Sequence, residues 1–519
     1  MTSRPADTPT ALVVGGGVSG LLSAWELVRA GYEVTLVEAG ASLGGCVAPR
    51  TVALPEGREL TLDAGAESFA VRTPAVRDLV EELGLGEAVV APHPGGSWLY
   101  LPPSGPGQDH RAVPAPRLGI LGIPGDLEAP EVAEALGADA LERARRDLED
   151  SPVGSADATS ATHTMPAPPS LDTWRQAVEE GTPVTVGAVV RDRMGEGVLQ
   201  TLVAPVVAGV HSADPDTLDL RTVAPGLLEA LVAEGSLARA VAARRAAAPP
   251  GAVVASLRGG MHTLTAALTE ELRRAGARVL TGTRAVTLAR AAREPRAAAE
   301  HRWTVELTAG AGGTEAVTVD RVVVATDGPR AWDLLAPASG GALSAEDRPQ
   351  EGAGVALVTL VVDAPELDAN PRGTGLLVSP AVSSDVVGAK ALTQVSAKWD
   401  WARQELGGHR HVVRLSYGRV TDAPDSAAPG YRTPEEDLRA RALADATALT
   451  GVDVAAGLVD SFVVRWKSAL PAATTDHRTR VEAVRTWLAD QPGLDAVGAW
   501  LAGTGLAAIV ADARRRIVP

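Results

Sequence analysis

The apolar positions change period twice within the first forty residues. Ala11, Leu12, Val13 and Val14 form a short unbroken run, which predicts a strand buried on both faces. From Ser19 to Ala30 apolar residues recur at helical spacing until Gly31, and Glu33–Val37 alternates as a second strand does. Strand, helix and strand in this order predict a parallel pair joined by a crossover. Pro74–Leu85 reads as a helix with Val76, Leu79, Val80 and Leu83 on one face. Arg117–Leu127 reads as an ordered loop, Val132–Asp150 as one charged amphipathic helix, and Leu171–Leu218 as several helices. A helix over Thr263–Ala275 follows Gly259–Gly260. Strand-like runs come next at Arg278–Leu280, Ala285–Leu288, Trp303–Leu307, Ala316–Val319 and Arg321–Ala325. Near the C-terminus, WLAGTGLAAIVADARRR predicts a glycine-rich turn leading into a helix. The pattern has no fixed repeat.

Composition narrows the picture. The 519 residues suffice for two to four domains. The formal net charge of −16 argues against nucleic acid and anionic membrane surfaces as partners. No stretch has the length and apolarity of a membrane span, and the run Ala11–Ala24 is broken by glycines at phosphate-loop spacing. Cys46 is the only cysteine, which excludes an intrachain disulfide and a thiolate cluster and points to a reducing cytoplasm. The lysines are Lys390, Lys398 and Lys467 alone. Ser151–Ser170, rich in Ser, Ala, Thr and Pro, reads as a mobile surface insert.

Chemistry enters at Gly15-Gly16-Gly17-Val18-Ser19-Gly20. This GxGxxG closes a strand and opens a helix, the context that a dinucleotide site requires. Gly15 permits the tight turn, Gly17 lets a pyrophosphate approach the backbone, and Gly20 lets helix and strand pack closely. Glu38, at the end of the second strand, suits the ribose hydroxyls and disfavours a 2′-phosphate. Gly44, Gly45 and Cys46 follow closely, and Asp63-Ala64-Gly65-Ala66-Glu67-Ser68-Phe69 brings a second glycine turn. This extension resembles that of the flavin amine oxidase superfamily and implies FAD, held non-covalently, rather than NAD.

Within that superfamily the chain resembles the protoporphyrinogen/coproporphyrinogen oxidase family, most closely its soluble bacterial coproporphyrinogen III branch. The likeness runs through DAGAESF with Arg72 and Pro74, LGIPGDL, VGAVVRDRMGEGVLQTLVAPVVAGVHSADPDTLDL, SLRGGMHTL, RWKSALPAATTDH and GTGLAAIVADA. Cys46, Thr73 and His211 depart from the family pattern. The resemblance implies a mixed α/β and α+β fold of three domains. A Rossmann-like FAD domain would comprise 1–76, 252–332 and 460–519. A mixed-sheet substrate domain would comprise 94–120, 216–251 and 333–459. A helical domain would comprise 77–93 and 121–215. Gly15 to Gly20, Glu38, Gly44 to Cys46, and Gly65, Ala66, Glu67 and Ser68 become cofactor residues. Val286 would lie beside the adenine, and Ala499 with Thr504, Gly505 and Leu506 beside the isoalloxazine.

The same resemblance implies the reaction. A porphyrinogen would lose six electrons in three two-electron rounds, with dioxygen as acceptor and hydrogen peroxide released. Contacts with other haem-pathway enzymes would be transient. Gly209 matches a glycine whose carbonyl faces the reacting meso carbon; as a bare residue it also reads as a helix stop. Arg72 is a candidate propionate anchor, or a surface arginine. His409 and His411 read as two strand residues rather than metal ligands, and no metal is expected. Two other readings stay open: another flavin amine oxidase, for which 4 Tyr and 2 Phe supply few cage residues, and a carrier of flavin or porphyrin.

Overall fold

The predicted opening is present as Thr10–Val14, Val18–Arg29 and Glu33–Val37 in the computed structural model. The model describes residues 8–117, 119–149, 171–247, 253–292, 302–310, 312–349, 351, 354–419, 426–467 and 475–517. The proposed insert 151–170 lies outside them. A parallel sheet of five strands runs in the order Arg278–Leu280, Glu33–Val37, Thr10–Val14, Arg321–Val324, Leu494–Ala496. One face buries Val13, Leu36 and Val323 under the helices Val18–Arg29, His262–Arg274 and Leu506–Ile517. The opposite face carries Leu12, Val14 and Val322. It is covered by an antiparallel ladder, Thr283–Arg290, Trp303–Ala309 and Thr314–Val319, and by the helix Gly328–Ala338. Burial on both faces explains the unbroken apolar run of the first strand.

A second sheet has seven strands in the order Leu458–Trp466, Val355–Asp363, Arg410–Tyr417, Ala391–Gln394, Gly375–Val378, Trp98–Leu101, Arg111–Pro114. Its neighbours pair antiparallel except Gly375–Val378 with Trp98–Leu101. One face packs Ala356, Val358, Leu360, Leu392, Val413 and Leu415 against Leu438, Ala442, Ala446 and Leu449 of the helix Glu435–Thr450. The other face presents Leu357, Leu377, Ala391, Thr393, Ser416, Val464 and Trp466, all only half-buried.

The helical layer corrects three expectations. The helix expected over Val132–Asp150 is broken at Gly137 into Pro130–Leu136 and Ala138–Arg145, because Gly137 takes φ 75° and ends the first helix. Residues 216–251, expected in the substrate domain, supply Leu220–Val223, Leu227–Glu234 and Leu237–Ala246. Their Leu220, Leu227, Leu231, Leu237 and Val241 share one core with Val186, Val190 and Leu202 of the helical layer. Residues 77–93, expected in that layer, put Leu79 and Val80 into the core under the parallel sheet. The expected boundary at 460 also cuts the strand Leu458–Trp466 of the seven-stranded sheet.

An ion pair sits at the centre of the helical layer. The side chains of Arg193 and Asp147 are both 0% exposed, and Arg193 Nε lies 2.9 Å from Asp147 Oδ1. Asp147 also accepts from Ser236 Oγ at 2.7 Å, Leu237 N at 3.0 Å and Ala238 N at 2.8 Å. It thereby caps the helix Leu237–Ala246. In the same layer Leu199–Val203 and Val207–His211 are π-helical, separated by one short α-turn. The second π-helix ends at Ser212, a non-glycine residue with φ 48°.

Candidate functional site

The glycine turn has the geometry that its spacing predicted. Gly15 has φ 112°, and a Cβ there would sit 2.6 Å from the Ala325 carbonyl oxygen. A Cβ on Gly20 would overlap the Gly15 carbonyl, so helix and strand touch at this residue. A Cβ on Gly17 would meet nothing within 4 Å, which leaves its outer side open. Gly17 starts the helix Val18–Arg29 without a side-chain cap, so no side chain of the turn covers the helix N-terminus from which an anion would be bound.

Glu38 closes the turn from the next strand. Its Oε2 accepts from Gly16 N at 2.7 Å and its Oε1 from Gly40 N at 2.6 Å. The second glycine loop is stitched to the first: Gly44 N donates to Gly16 O at 2.8 Å. Gly44 and Gly45 take φ 102° and 55°. The third loop follows, with Ala66 N donating to Cys46 O at 2.8 Å and a Cβ on Gly65 lying 2.5 Å from that same oxygen. Three loops thus form one continuous trough from Gly17 through Gly44–Cys46 to Gly65–Ser68. Burial pushes the Cys46 thiol up, which makes it a poor nucleophile.

The C-terminal turn joins from across the sheet. Gly498, Ala499 and the exposed Thr504 and Gly505 precede the helix that begins at Leu506. That helix lies along Val18–Arg29, and Arg514 Nε reaches Glu26 Oε1 at 3.0 Å. Two helix N-termini therefore open at the carboxyl ends of the parallel strands, where α/β sheets hold their ligands. Val286 is 46% exposed and sits at the irregularity between Ala285 and Thr287, on the strand whose Thr283 N bonds Glu38 O.

The half-buried face of the seven-stranded sheet meets the trough at one end. Arg414 Nη1 donates to Gly65 O at 2.6 Å, and a Cβ on Gly65 would lie 3.2 Å from Trp466 Nε1. Lys398 and Arg414 both pair with Glu67, at 2.7 and 3.2 Å. Burial alone would raise the Glu67 carboxyl, but the two cations outweigh it and hold the group below the usual carboxylate range. The side chain of Glu67, one of the expected cofactor residues, is ion-paired to Lys398 and Arg414, and its backbone lies in the loop that continues the trough. Thr359 Oγ1, Arg414 Nε and Trp466 Nε1 are buried without a hydrogen-bond partner among the described residues. Cross-strand register places Thr359 and Arg414 on the face that Trp466 shares.

At the other end of this face stands the second π-helix. A Cβ on Gly209 would lie 2.6 Å from Leu377 Cδ2, so Gly209 is a close-approach residue inside a helix and not the helix stop that its type suggested. Ser212 Oγ accepts from the Lys390 ammonium, which is 1% exposed. Burial pushes the His211 imidazole down. Arg72 is exposed on the loop after Phe69–Ala70. His409 and His411 both turn to Asp368, at 2.6 and 2.9 Å. Among the described residues no group of His, Cys, Asp or Glu has metal-binding geometry. Nor is any helix there long and apolar enough to cross a membrane.

A family model for flavin containing amine oxidoreductases matches residues 18–514. The chain belongs to that family. A coproporphyrinogen III oxidase of Mycobacterium leprae (strain TN) is 31% identical over 524 residues, covering 100% of this chain and 98% of that protein. One of Propionibacterium freudenreichii subsp. freudenreichii is 27% identical over 541 residues, with 97% and 89% covered. Among solved structures, a protein of Exiguobacterium sp. 255-15 described as a candidate protoporphyrinogen oxidase aligns with TM-score 0.73 at 23% identity, covering 98% of each chain. Putrescine oxidase bound to putrescine aligns with TM-score 0.58 at 13% identity over 98% and 97%. These structural likenesses share the fold.

This flavin amine oxidoreductase is therefore an FAD-dependent enzyme, and its residues fit the cofactor. The open side of Gly17 and the uncapped helix N-terminus behind it face the trough, and the buried Trp466 Nε1 next to Gly65 has no hydrogen-bond partner among the described residues. FAD there supplies two-electron oxidation. Sequence reasoning named the glycines and Glu38 but did not single out Arg414, Thr359 or Trp466, which share the sheet face beside Gly65. A charge within the apolar run VVRLSY was the available signal for Arg414.

Glu38→Ala removes an acceptor that shapes the turn as well as one suited to ribose. FAD affinity is expected to fall about tenfold to a hundredfold, from one or two charge-assisted bonds of about 1.5–3 kcal/mol. Turnover at saturating FAD recovers, because the lost contacts act equally in ground and transition states. Titration of the apoprotein with FAD, followed by assay at saturation, checks both halves; a persistently slow saturated enzyme contradicts the assignment.

Proposed function

We propose that this chain oxidises coproporphyrinogen III to coproporphyrin III, with dioxygen as the electron acceptor. The observation that carries the reading is the broad sheet face of mixed character, with Leu357, Leu377, Ala391 and Val464 beside Thr393 and Ser416, that runs from the flavin trough to Gly209. A macrocycle of four pyrroles covers such a wall more fully than a small amine, and the full-length relatives named as coproporphyrinogen III oxidases support the same class. Six electrons leave in three rounds, and three molecules of hydrogen peroxide form per porphyrin. In this reading the backbone carbonyl of Gly209 faces the macrocycle, while the missing side chain lets the π-helix sit against Leu377. The sheet face excludes water, and Val286 packs beside the adenine.

Anaerobic mixing with coproporphyrinogen III tests the proposal. Bleaching of the flavin absorbance, with growth of porphyrin absorbance once oxygen is admitted, supports it. Binding without bleaching supports a carrier instead, and bleaching by primary amines alone supports an amine oxidase.

Arg72 is proposed as one propionate anchor, since its exposed guanidinium follows the trough segment Gly65–Ser68. Arg72→Ala is expected to raise KM for coproporphyrinogen III about tenfold to a hundredfold, the worth of one charge-assisted bond. FAD content stays unchanged. If Arg72 meets a propionate that protoporphyrinogen IX lacks, only coproporphyrinogen III suffers. Equal KM values for wild type and variant with both substrates make Arg72 a surface residue.

A further inference from the structure

Glu67, Lys398 and Arg414 come from three separate parts of the chain and meet beside the trough. The loop 63–69 brings Glu67, the short helix Val395–Lys398 brings Lys398, and the strand Arg410–Tyr417 brings Arg414. All three are largely withdrawn from water, with side-chain exposures of 13%, 21% and 8%. Lys398 Nζ also lies 5.1 Å from the centre of the Trp399 ring. Arg414 is tied by its other nitrogen to the Gly65 carbonyl, within the loop that continues the trough. A simple interdomain strut needs one cation for one carboxylate; here two cations surround one. The other acid of this loop, Asp63, is committed elsewhere. Its oxygens accept from Met261 N at 2.9 Å and His262 N at 2.8 Å, at the N-terminus of the helix His262–Arg274.

We propose that Glu67, Lys398 and Arg414 form an electrostatic tuning site whose single uncompensated positive charge raises the reduction potential of the bound flavin. Reduction adds two electrons and one proton to the ring and leaves it with a net negative charge. A cation held in a water-poor setting beside the ring favours that state more than the same cation in water would. The three residues act through the field and through Gly65, and none of them needs to touch substrate. Glu67 limits the effect: it keeps the two cations together and cancels one of them. The inference rests on the placement of Gly65–Ser68 against the flavin and not on the identity of the substrate.

Charge counting makes the test specific. The site carries a net charge of one in the wild type, two in Glu67→Gln, none in Lys398→Met, and one again in the double variant. Anaerobic potentiometric titration of the purified holoproteins, with dithionite as electron source, reads the flavin midpoint potential directly. The expected order is Glu67→Gln highest, wild type and double variant together, Lys398→Met lowest. Each step changes the reduction equilibrium at fixed potential by at least about tenfold, which is about 30 mV for a two-electron couple. Should Glu67→Gln fail to fold, Lys398→Met and the double variant still carry the comparison. Equal potentials in all holoproteins overturn the proposal, as does a double variant that stays with Lys398→Met. So does loss of FAD from Lys398→Met with an unshifted potential in the fraction that retains it. Because dithionite supplies the electrons, the outcome stands whether or not coproporphyrinogen III is the substrate.

Discussion

Asp147→Ala is expected to destabilise the protein by about 3–5 kcal/mol, the usual consequence of stripping one partner from a fully buried ion pair. The variant leaves the Arg193 guanidinium at 0% exposure without its carboxylate and removes three further acceptor contacts, two of them to the first amides of Leu237–Ala246. Scanning calorimetry or thermal denaturation followed by circular dichroism checks this, with a fall in Tm of roughly 3–5 °C. FAD content at low temperature stays close to wild type, because Asp147 lies in the helical core and the trough is built elsewhere. Arg193→Met combined with Asp147→Leu is expected to recover part of the loss, since an apolar pair of similar volume removes the stranded charge. A Tm within two degrees of wild type for Asp147→Ala contradicts the assignment.

The second large effect concerns the cofactor. Gly20→Val drives a branched side chain into the Gly15 carbonyl, so the helix Val18–Arg29 must shift away from the strand Thr10–Val14. That shift misaims the first-turn amides, and FAD affinity is expected to fall by a hundredfold or more, on the order of 3 kcal/mol from overpacking and lost donors together. Purified Gly20→Val should be nearly colourless. Gly17→Ala is the matched control: its Cβ meets nothing in the protein, so thermal stability of the apoprotein stays unchanged while FAD binding weakens. A yellow Gly20→Val protein, or a Gly17→Ala protein with full FAD affinity, contradicts this account of the turn.

The turn was legible because everything it needs is local. Strand, glycines, helix and Glu38 lie within thirty residues, and each glycine meets a steric demand set by near neighbours. The second sheet was not legible in the same way. Its strands come from positions between 98 and 466, and only the assembled register shows that Leu357, Leu377, Ala391 and Val464 share one face. Local periodicity likewise failed to place Leu220–Ala246, because its apolar residues fit any helical core and the choice of partner is long-range. Lys398 and Arg414 could be seen as unusual residues, but their convergence on Glu67 follows from tertiary structure alone.

The parallel sheet closes only with Leu494–Ala496, and the helix that flanks Val18–Arg29 runs from Leu506 to Ile517. During synthesis the strand Thr10–Val14 is made well before Leu494–Ala496, and its sheet keeps an open edge at Arg321–Val324 until residue 496 has left the ribosome. Such long sequence separations slow folding and leave pairing edges exposed while the chain grows. A chain interrupted before residue 494 has every glycine of the turn and still lacks the fifth strand of the sheet and the helix Leu506–Ile517 that packs along Val18–Arg29. Colour in a nascent or proteolysed preparation would therefore report an intact C-terminal helix rather than an intact N-terminal motif.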